Sequence, residues 1–474
     1  MDCAQNKKIA FYLLLAEAVA VLFFLLSTGR FEVRITNDSA AYLHFFPAAS
    51  SIPDFFKIIF SNYRTFGYPL FLKLIGFWNP DYAALPVIQY ALYAGAVLFF
   101  YGSLTAFGFG PWTAWGMSAP LLAGRLALKY SAQIMSDSPA LALAILCFAW
   151  ALRTALKPEK IFLWAALGLT LFFCVQIRPV FVFLALFIPL LIVLLRRLQP
   201  REDGGFVKTR GHMQVLGPAC IACLGPLLLF CLFRFMLTGE RGITSYAGIN
   251  AAGLSAALVQ PETLPKLPPD LAPLALAVLE ERSQLSLAGI QGPRVRWKEH
   301  ERWVSGYNDL LWDAGVKPAE RLFGAQAGGA RHNLLNERLW AFFQALVYAR
   351  PLVYAQLYFL SCQRFMMQTL YTHLGLQASL ALWFFSLFFA GFFLKNKKGV
   401  WTDAQIQSFF SKQAVLGMLS LPFYILQLLL VLMIQIPQGR YYTAAEVFLP
   451  GFFLALAILP WEEFGAGEKA KQHA

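Results

Sequence analysis

Asp38, Asp137, Arg64, Arg178 and Arg440 stand out in a chain otherwise built from apolar runs. Asp38 opens a polar stretch over 36–69, TNDSAAYLHFFPAASSIPDFFKIIFSNYRTFGYP, which also holds Arg64 and the turn-like Gly67-Tyr68-Pro69. A carboxylate here is chemically suited to deprotonate an acceptor hydroxyl or, beside Asn37 and Ser39, to ligate a divalent cation. The competing reading is a helix cap, because Asp-Ser precedes the periodic stretch 40–46. Asp137 lies in Ser136-Asp137-Ser138-Pro139, where it can cap the following helix and still be fixed at a membrane surface for chemistry. An arginine fork suits phosphate. Arg64, Arg178 (before Pro179) and Arg440 (in Gln438-Gly-Arg-Tyr-Tyr442) are therefore candidate phosphate ligands, and Lys129 beside Tyr130 joins them. Alternatively, Arg64 is an anchor that snorkels to headgroups, and Arg178 and Arg440 form plain salt bridges with Asp38 and Asp137. Tyr42, Tyr68 and Tyr441 flank these groups as candidate substrate contacts.

What must position such groups follows from composition. The 474 residues are 58% hydrophobic and 14% charged, against about 25% charged in soluble domains. An all-α polytopic membrane protein is expected. The net charge of +13 then reflects cytoplasmic flanks and phosphate-bearing membrane lipids rather than nucleic acid. Apolar runs predict about ten spans, at 9–27, 83–107, 112–128, 138–153, 161–177, 179–195, 213–236, 374–394, 412–435 and 443–460. The first reads as a retained anchor rather than a cleaved signal. Lys7 and Lys8; Arg153, Lys157 and Lys160; Arg196, Arg197, Arg201, Lys208 and Arg210; Lys395, Lys397 and Lys398; and Lys469 and Lys471 then share one side, the cytoplasm. The candidate residues all fall on the other side.

The chain divides into an N-terminal membrane module (1–236) with its candidate catalytic loop at 28–82, an outer cap of helices (237–373), and C-terminal spans (374–474). Within the cap, 271–287, 295–312 and 333–348 have amphipathic helical spacing. In the first loop, 52–59 and 68–77 read as short interfacial helices. Cys220-x-x-Cys223 sits in an apolar run and reads as small-residue packing. His44, His300, His332 and His373 lack metal-ligand spacing, and no nucleotide loop, H-E-x-x-H or G-x-S-x-G motif occurs.

An acid in the first outer loop followed by Arg64-x-x-Gly67-Tyr68-Pro69, then Ser136-Asp137-Ser138-Pro139 entering an apolar helix, then Gly439-Arg440-Tyr441-Tyr442 running toward Pro450, resembles the membrane-embedded GT-C glycosyltransferases. Within them the pattern is most similar to bacterial relatives of the protein O-mannosyltransferases and of the lipid A aminoarabinose transferase. The resemblance covers most of 1–195 and 330–460. It implies a sugar donor carried on a polyprenyl phosphate and an acceptor in the cell envelope (lipid, glycan or protein), glycosylated at the outer face of the inner membrane. It makes Asp38 the catalytic base or the acid that binds acceptor or metal, Asp137 its support, and the arginines the donor-phosphate ligands. Many members carry two adjacent acids where this chain has Asn37-Asp38, so a divalent cation, with Asp38 as its ligand, stays open. A transporter for a lipid-linked sugar is the main alternative; such proteins carry broken helices near the midplane and internal repeats, which are not visible here. A non-catalytic assembly component is the third reading.

Overall fold

The computed structural model describes residues 3–36, 38–46, 56, 58–60, 64–199, 209–287, 289–290, 292, 294–324, 331–396, 403–435 and 444–472. Among the described residues the chain is all-helical, apart from one isolated parallel bridge, Arg34 to Gln133. The elements run α1 (Cys3–Ser27), α2 (Ser39–Leu43), α3 (Gly67–Gly76), α4 (Leu85–Phe107), α5 (Pro111–Leu122), α6 (Arg125–Tyr130), α7 (Asp137–Leu156), α8 (Ile161–Ile177), a tight turn Pro179–Val182, α9 (Phe183–Leu198) and α10 (Thr209–Thr238). The cap follows as α11 (Ala247–Leu258), α12 (Ala272–Gln284), α13 (Trp297–Ser305), a wide helical turn Leu310–Val316, α14 (Lys317–Phe323) and α15 (Arg331–Ala349). Then come α16 (Pro351–Thr372), α17 (Leu374–Asn396), α18 (Asp403–Ile434) and α19 (Leu449–Gln472).

Among the described residues, six helices are long and apolar enough to cross a membrane: Ala4–Ser27, Leu85–Phe107, Asp137–Leu156, Pro179–Leu198, Gln214–Thr238 and Ile406–Ile434. The protein is an all-α membrane protein. The expected continuous segment at 112–128 is instead broken into α5 and α6. Pro120 removes a backbone donor near the end of α5, and Gly124 is extended at the break. At about 1.5 Å per residue α5 rises only about 18 Å, short of a hydrocarbon core of about 30 Å. The helix 351–372 and the buried apolar helix α11 were not anticipated from the sequence.

Polar contacts tie the two ends of the bundle. At one end Glu462 caps α5, accepting from Trp112 N (2.8 Å), Thr113 N (2.9 Å) and Thr113 Oγ1 (2.5 Å). Lys412 pairs with Glu463 there, Arg153 Nε donates to Ser103 Oγ at 2.9 Å, and Tyr101 donates to the Lys7 carbonyl at 3.1 Å. The other end gathers the loops after α1, α6 and α8. Arg34 N donates to the Ala132 carbonyl and Ile134 N to the Arg34 carbonyl, and Ser39 Oγ donates to the Ile134 carbonyl at 3.0 Å. Gly67 sits directly on the last turn of α8. A Cβ there would lie 2.6 Å from the Gln176 carbonyl carbon.

The cap has its own hydrophobic core, built on α11 with Trp303, Tyr307, Leu339, Phe342 and Leu357 among its buried members. In the cap His300 is buried, and its Nε2 is 3.0 Å from Ser361 Oγ on α16. Burial, with Arg364 nearby, pulls its pKa down to about 4. The folded cap therefore holds His300 neutral, whereas the unfolded chain protonates it near 6.5.

Two outcomes are expected. Gly67→Ala lowers stability by roughly 1–3 kcal/mol, because its Cβ meets backbone that cannot rotate away; thermal unfolding of the detergent-solubilised chain measures it. His300 contributes stability that is present above pH 6.5 and lost as pH falls through 6.5 toward about 4. The loss is of order 3 kcal/mol, and His300→Gln flattens that part of the pH–stability curve.

Candidate functional site

Asp38, Tyr42, Arg64, Tyr68, Asp137 and Arg178 meet at the loop end of the bundle. Two carboxylate–arginine pairs form the frame. Arg64 Nη2 donates to Asp38 Oδ1 at 3.2 Å, with side chains 18% and 28% exposed. Arg178 Nη1 lies 2.6 Å from Asp137 Oδ2, with side chains 10% and 1% exposed.

Each acid is placed by a helix start, yet neither works as a cap. Asp38 occupies the residue before α2 but makes no side-chain bond to the helix N–H groups. Ser39 Oγ takes the Thr36 N–H instead, at 2.7 Å. Asp137 is the first residue of α7, where the helix dipole favours a negative charge. Its partner Arg178 is set by Pro179, which stops α8 one residue later.

Between the pairs lies a polar relay. Tyr42 Oη is 3.3 Å from Ser136 Oγ, and Arg178 Nη1 is 3.5 Å from the same hydroxyl. The Tyr42 and Tyr68 rings meet edge to face at 4.9 Å. Tyr68 Oη donates to Gln89 Oε1 at 3.4 Å, and Gln89 Nε2 donates to the carbonyls of Ser131 (2.7 Å) and Gln133 (3.1 Å). Burial, with Tyr42 and Asp137 adding to it, pushes the Tyr68 phenol well above its ordinary pKa. It therefore stays a neutral donor. Arg64 is not a snorkelling anchor: its guanidinium lies over the Tyr42 ring at 5.2 Å and the Tyr246 ring at 5.3 Å.

Asp137 is the unusual member. The 2.6 Å approach of Arg178 is a close charge contact whose N–H direction misses the lone pairs, so neither carboxylate oxygen has an aligned hydrogen bond among the described residues. A buried oxygen left with an unused acceptor is costly unless something else donates to it. Gln176, fully buried in the last turn of α8, likewise has both amide atoms unmatched. An unused carboxylate acceptor can take a hydroxyl hydrogen, and the Gln176 amide can both donate and accept.

Lys129 is not part of this cluster. It lines a neighbouring cleft with Arg30, Arg34 and His373. Arg440 and Tyr441 lie outside the described residues. Among the described residues no group of three or more His, Cys, Asp or Glu side chains could hold a metal ion. Gln89, Gln176 and Tyr246 were not singled out in the sequence, and Ser136 stood there only as the residue before Asp137 in its motif. A lone glutamine in an apolar helical run was the signal available for the two glutamines; nothing marked Tyr246.

Against protein-family models, curated proteins and solved structures, the chain finds no match.

Removal of either member of the buried pair, by Asp137→Ala or Arg178→Ala, is expected to cost about 3–5 kcal/mol, because the other charge is stranded. The double variant should cost less than the sum of the two by at least about 1 kcal/mol. Denaturant unfolding of the three variants measures the coupling, and additive losses would show that the two charges do not support each other.

Proposed function

We propose that the protein is an inverting glycosyltransferase of the GT-C type. It would move a sugar from a polyprenyl-phosphate donor to a hydroxyl of a cell-envelope lipid, glycan or protein. The observation that carries this reading is the convergence of two carboxylate–arginine pairs, Asp38–Arg64 and Asp137–Arg178, at one end of an apolar bundle. The opposite end carries Lys7, Arg153, Lys157 and Lys160. On the rule that basic flanks stay in the cytoplasm, the pairs face the periplasm or exterior of an inner-membrane protein. The shorter apolar helices 161–177 and 374–388, with α5–α6 and α19, would complete about ten crossings.

In the proposed reaction the acceptor oxygen attacks the anomeric carbon. The bond from that carbon to the phosphate oxygen breaks on the opposite face, which inverts the configuration. Asp38 takes the acceptor proton. It suits this role because its carboxylate is partly open and is positioned by Arg64. Polyprenyl phosphate leaves with a growing negative charge that Arg64 and Arg178 stabilise, and Arg440 would join them from the last loop. Asp137, through its unmatched oxygen, would orient a sugar or acceptor hydroxyl. Tyr42 and Tyr68 would supply a ring wall and a neutral donor. The lipid tail would lie along lipid-facing grooves between spans. A divalent cation, if one is used, would have Asp38 as its ligand.

The full-length protein, incubated with a pool of polyprenyl-phosphate sugars and an envelope-lipid extract, should form glycosylated product. Asp38→Asn should lower the rate about 10²–10⁴-fold, the usual worth of a general base, while donor binding persists. A chelator arm reads the metal: loss of product restored by magnesium or manganese assigns one. Full activity in Asp38→Asn would remove Asp38 as the base. Donor translocation across proteoliposomes without product would favour the transporter reading.

A further inference from the structure

Beside the acid–arginine cluster lies a cleft of about 610 Å³, lined by Arg30, Arg34, Lys129 and His373 with the apolar Ala123, Leu128 and Leu374. Its size matches a small-molecule or headgroup site. Every charged or ionisable residue in its lining is basic. Arg30, Arg34 and Lys129 form no ion pair among the described residues. Arg30 lies over the Phe24 ring at 5.4 Å and Lys129 over the Tyr130 ring at 5.2 Å, contacts that orient the cations without neutralising them. Two acids lie close by but outside the lining: Glu32, exposed between Arg30 and Arg34 in the first loop, and Glu446, buried 3.9 Å from His373 Nε2.

Two features identify what such a cleft takes. First, its cations sit at the loop end of the bundle, away from the flanks where Lys and Arg of a membrane protein gather. Three cations lining one cleft, against the single exposed Glu32 beside it, leave a net positive field that favours an anion. Arginine forks in particular match phosphate oxygens. Second, the rim is apolar. Leu374, the first residue of α17, is 82% exposed, so the cleft opens beside surface suited to an acyl chain. The backbone fixes the walls: the Arg34 to Gln133 bridge holds the first loop against the segment that follows Lys129.

We propose that this cleft is a second anion site that binds the phosphate-bearing headgroup of an anionic lipid. Arg34 and Lys129 form the opposing sides of the phosphate cradle, Arg30 and His373 extend it, and Leu128 and Leu374 receive the start of the hydrocarbon. The site stands apart from Asp38 and Asp137 and does not depend on the transferase reading.

The test uses the full-length protein in neutral detergent, with phosphatidic acid, phosphatidylcholine and inorganic phosphate as probes, and binding read by native mass spectrometry and by titration of thermal stability. Phosphatidic acid should bind more tightly than phosphatidylcholine. Arg34→Gln with Lys129→Gln should weaken it about 30-fold, from roughly 1 kcal/mol per cation at a membrane surface. The charge-keeping pair Arg34→Lys with Lys129→Arg should retain most of the affinity, which separates loss of charge from loss of fold. Asp38→Asn should leave the binding unchanged, so a failed transferase assay would not touch this result. Phosphatidic acid binding that is unaltered in the double glutamine variant would overturn the site. Inorganic phosphate binding as tightly as the lipid would overturn its assignment to a lipid.

Discussion

Two opposite charges, Asp137 and Arg178, are held almost out of water at the end of an apolar bundle, and the architecture of that end follows from this. Neither charge is tolerable there alone: the effective cost of burying one ion is several kcal/mol. Each is delivered by a helix boundary. Asp137 starts α7 and Arg178 ends α8, so satisfying the charges clamps two helix ends together. The clamp then recruits its surroundings. Ser136 shares Arg178 with Asp137, Tyr42 docks on Ser136, and α2, which carries Tyr42, sets Asp38 at its own start. Gly67 lets the chain after Arg64 press against the Gln176 backbone. The first loop is thus placed by polar groups it does not itself contain.

The two pairs then differ in a way that matters for chemistry. Asp137 is 1% exposed and matched mainly by charge, with acceptor capacity to spare. Asp38 is 28% exposed and bonded to Arg64 at 3.2 Å. A closed, rigid carboxylate is suited to fixing the orientation of a hydroxyl. A partly open one is suited to receiving a proton and returning it to water. Arg64 and Arg178 each hold one of these acids and are linked through Tyr42 and Ser136. Under the proposed transfer, preorganised charge of this kind would lower a barrier without reorganisation.

Much of this was legible in the sequence because isolated charges in apolar runs have few innocent explanations. Asp38, Arg64, Asp137 and Arg178 were all marked on that ground, and Tyr42 and Tyr68 beside them. The pairing was not legible, since either acid could have met either arginine or simply capped a helix. Helix breaks were harder still. The segment 112–128 is mostly apolar, and only Pro120, Gly124 and Arg125 hint that it divides. Lys129 is near Asp137 in the chain but lines a different space, because it sits in the last turn of α6 whereas Asp137 starts α7. The cap was legible in part. The periodic segments 271–287, 295–312 and 333–348 are helical, but α11 was missed: it is built from small residues packed all round, as at Gly248, whose amide donates to Asn336 Oδ1 at 2.7 Å, and leaves no periodic signature.

That same cap bears directly on the site. Tyr246 immediately precedes α11 and its ring lies 5.3 Å from the Arg64 guanidinium. The far end of α11 is fixed by two arginines. Arg282 donates to the carbonyls of Ala256 (2.8 Å) and Val259 (2.7 Å), and Arg350 to those of Leu258 (2.8 Å) and Ile290 (2.9 Å). Cations at a helix C-terminus satisfy carbonyls that lack intrahelical partners and complement the dipole. A helix pinned in this way presents Tyr246 in one place. A ring over a guanidinium is worth about 0.5–2 kcal/mol depending on its exposure. At about 1.4 kcal/mol per tenfold, the contact biases Arg64 toward its position on Asp38 by a factor of roughly 2–30. The cap therefore helps to hold the arginine that pairs with Asp38. A group of helices with its own hydrophobic core can in this way set a side chain of the first loop while adding no charge to the cluster.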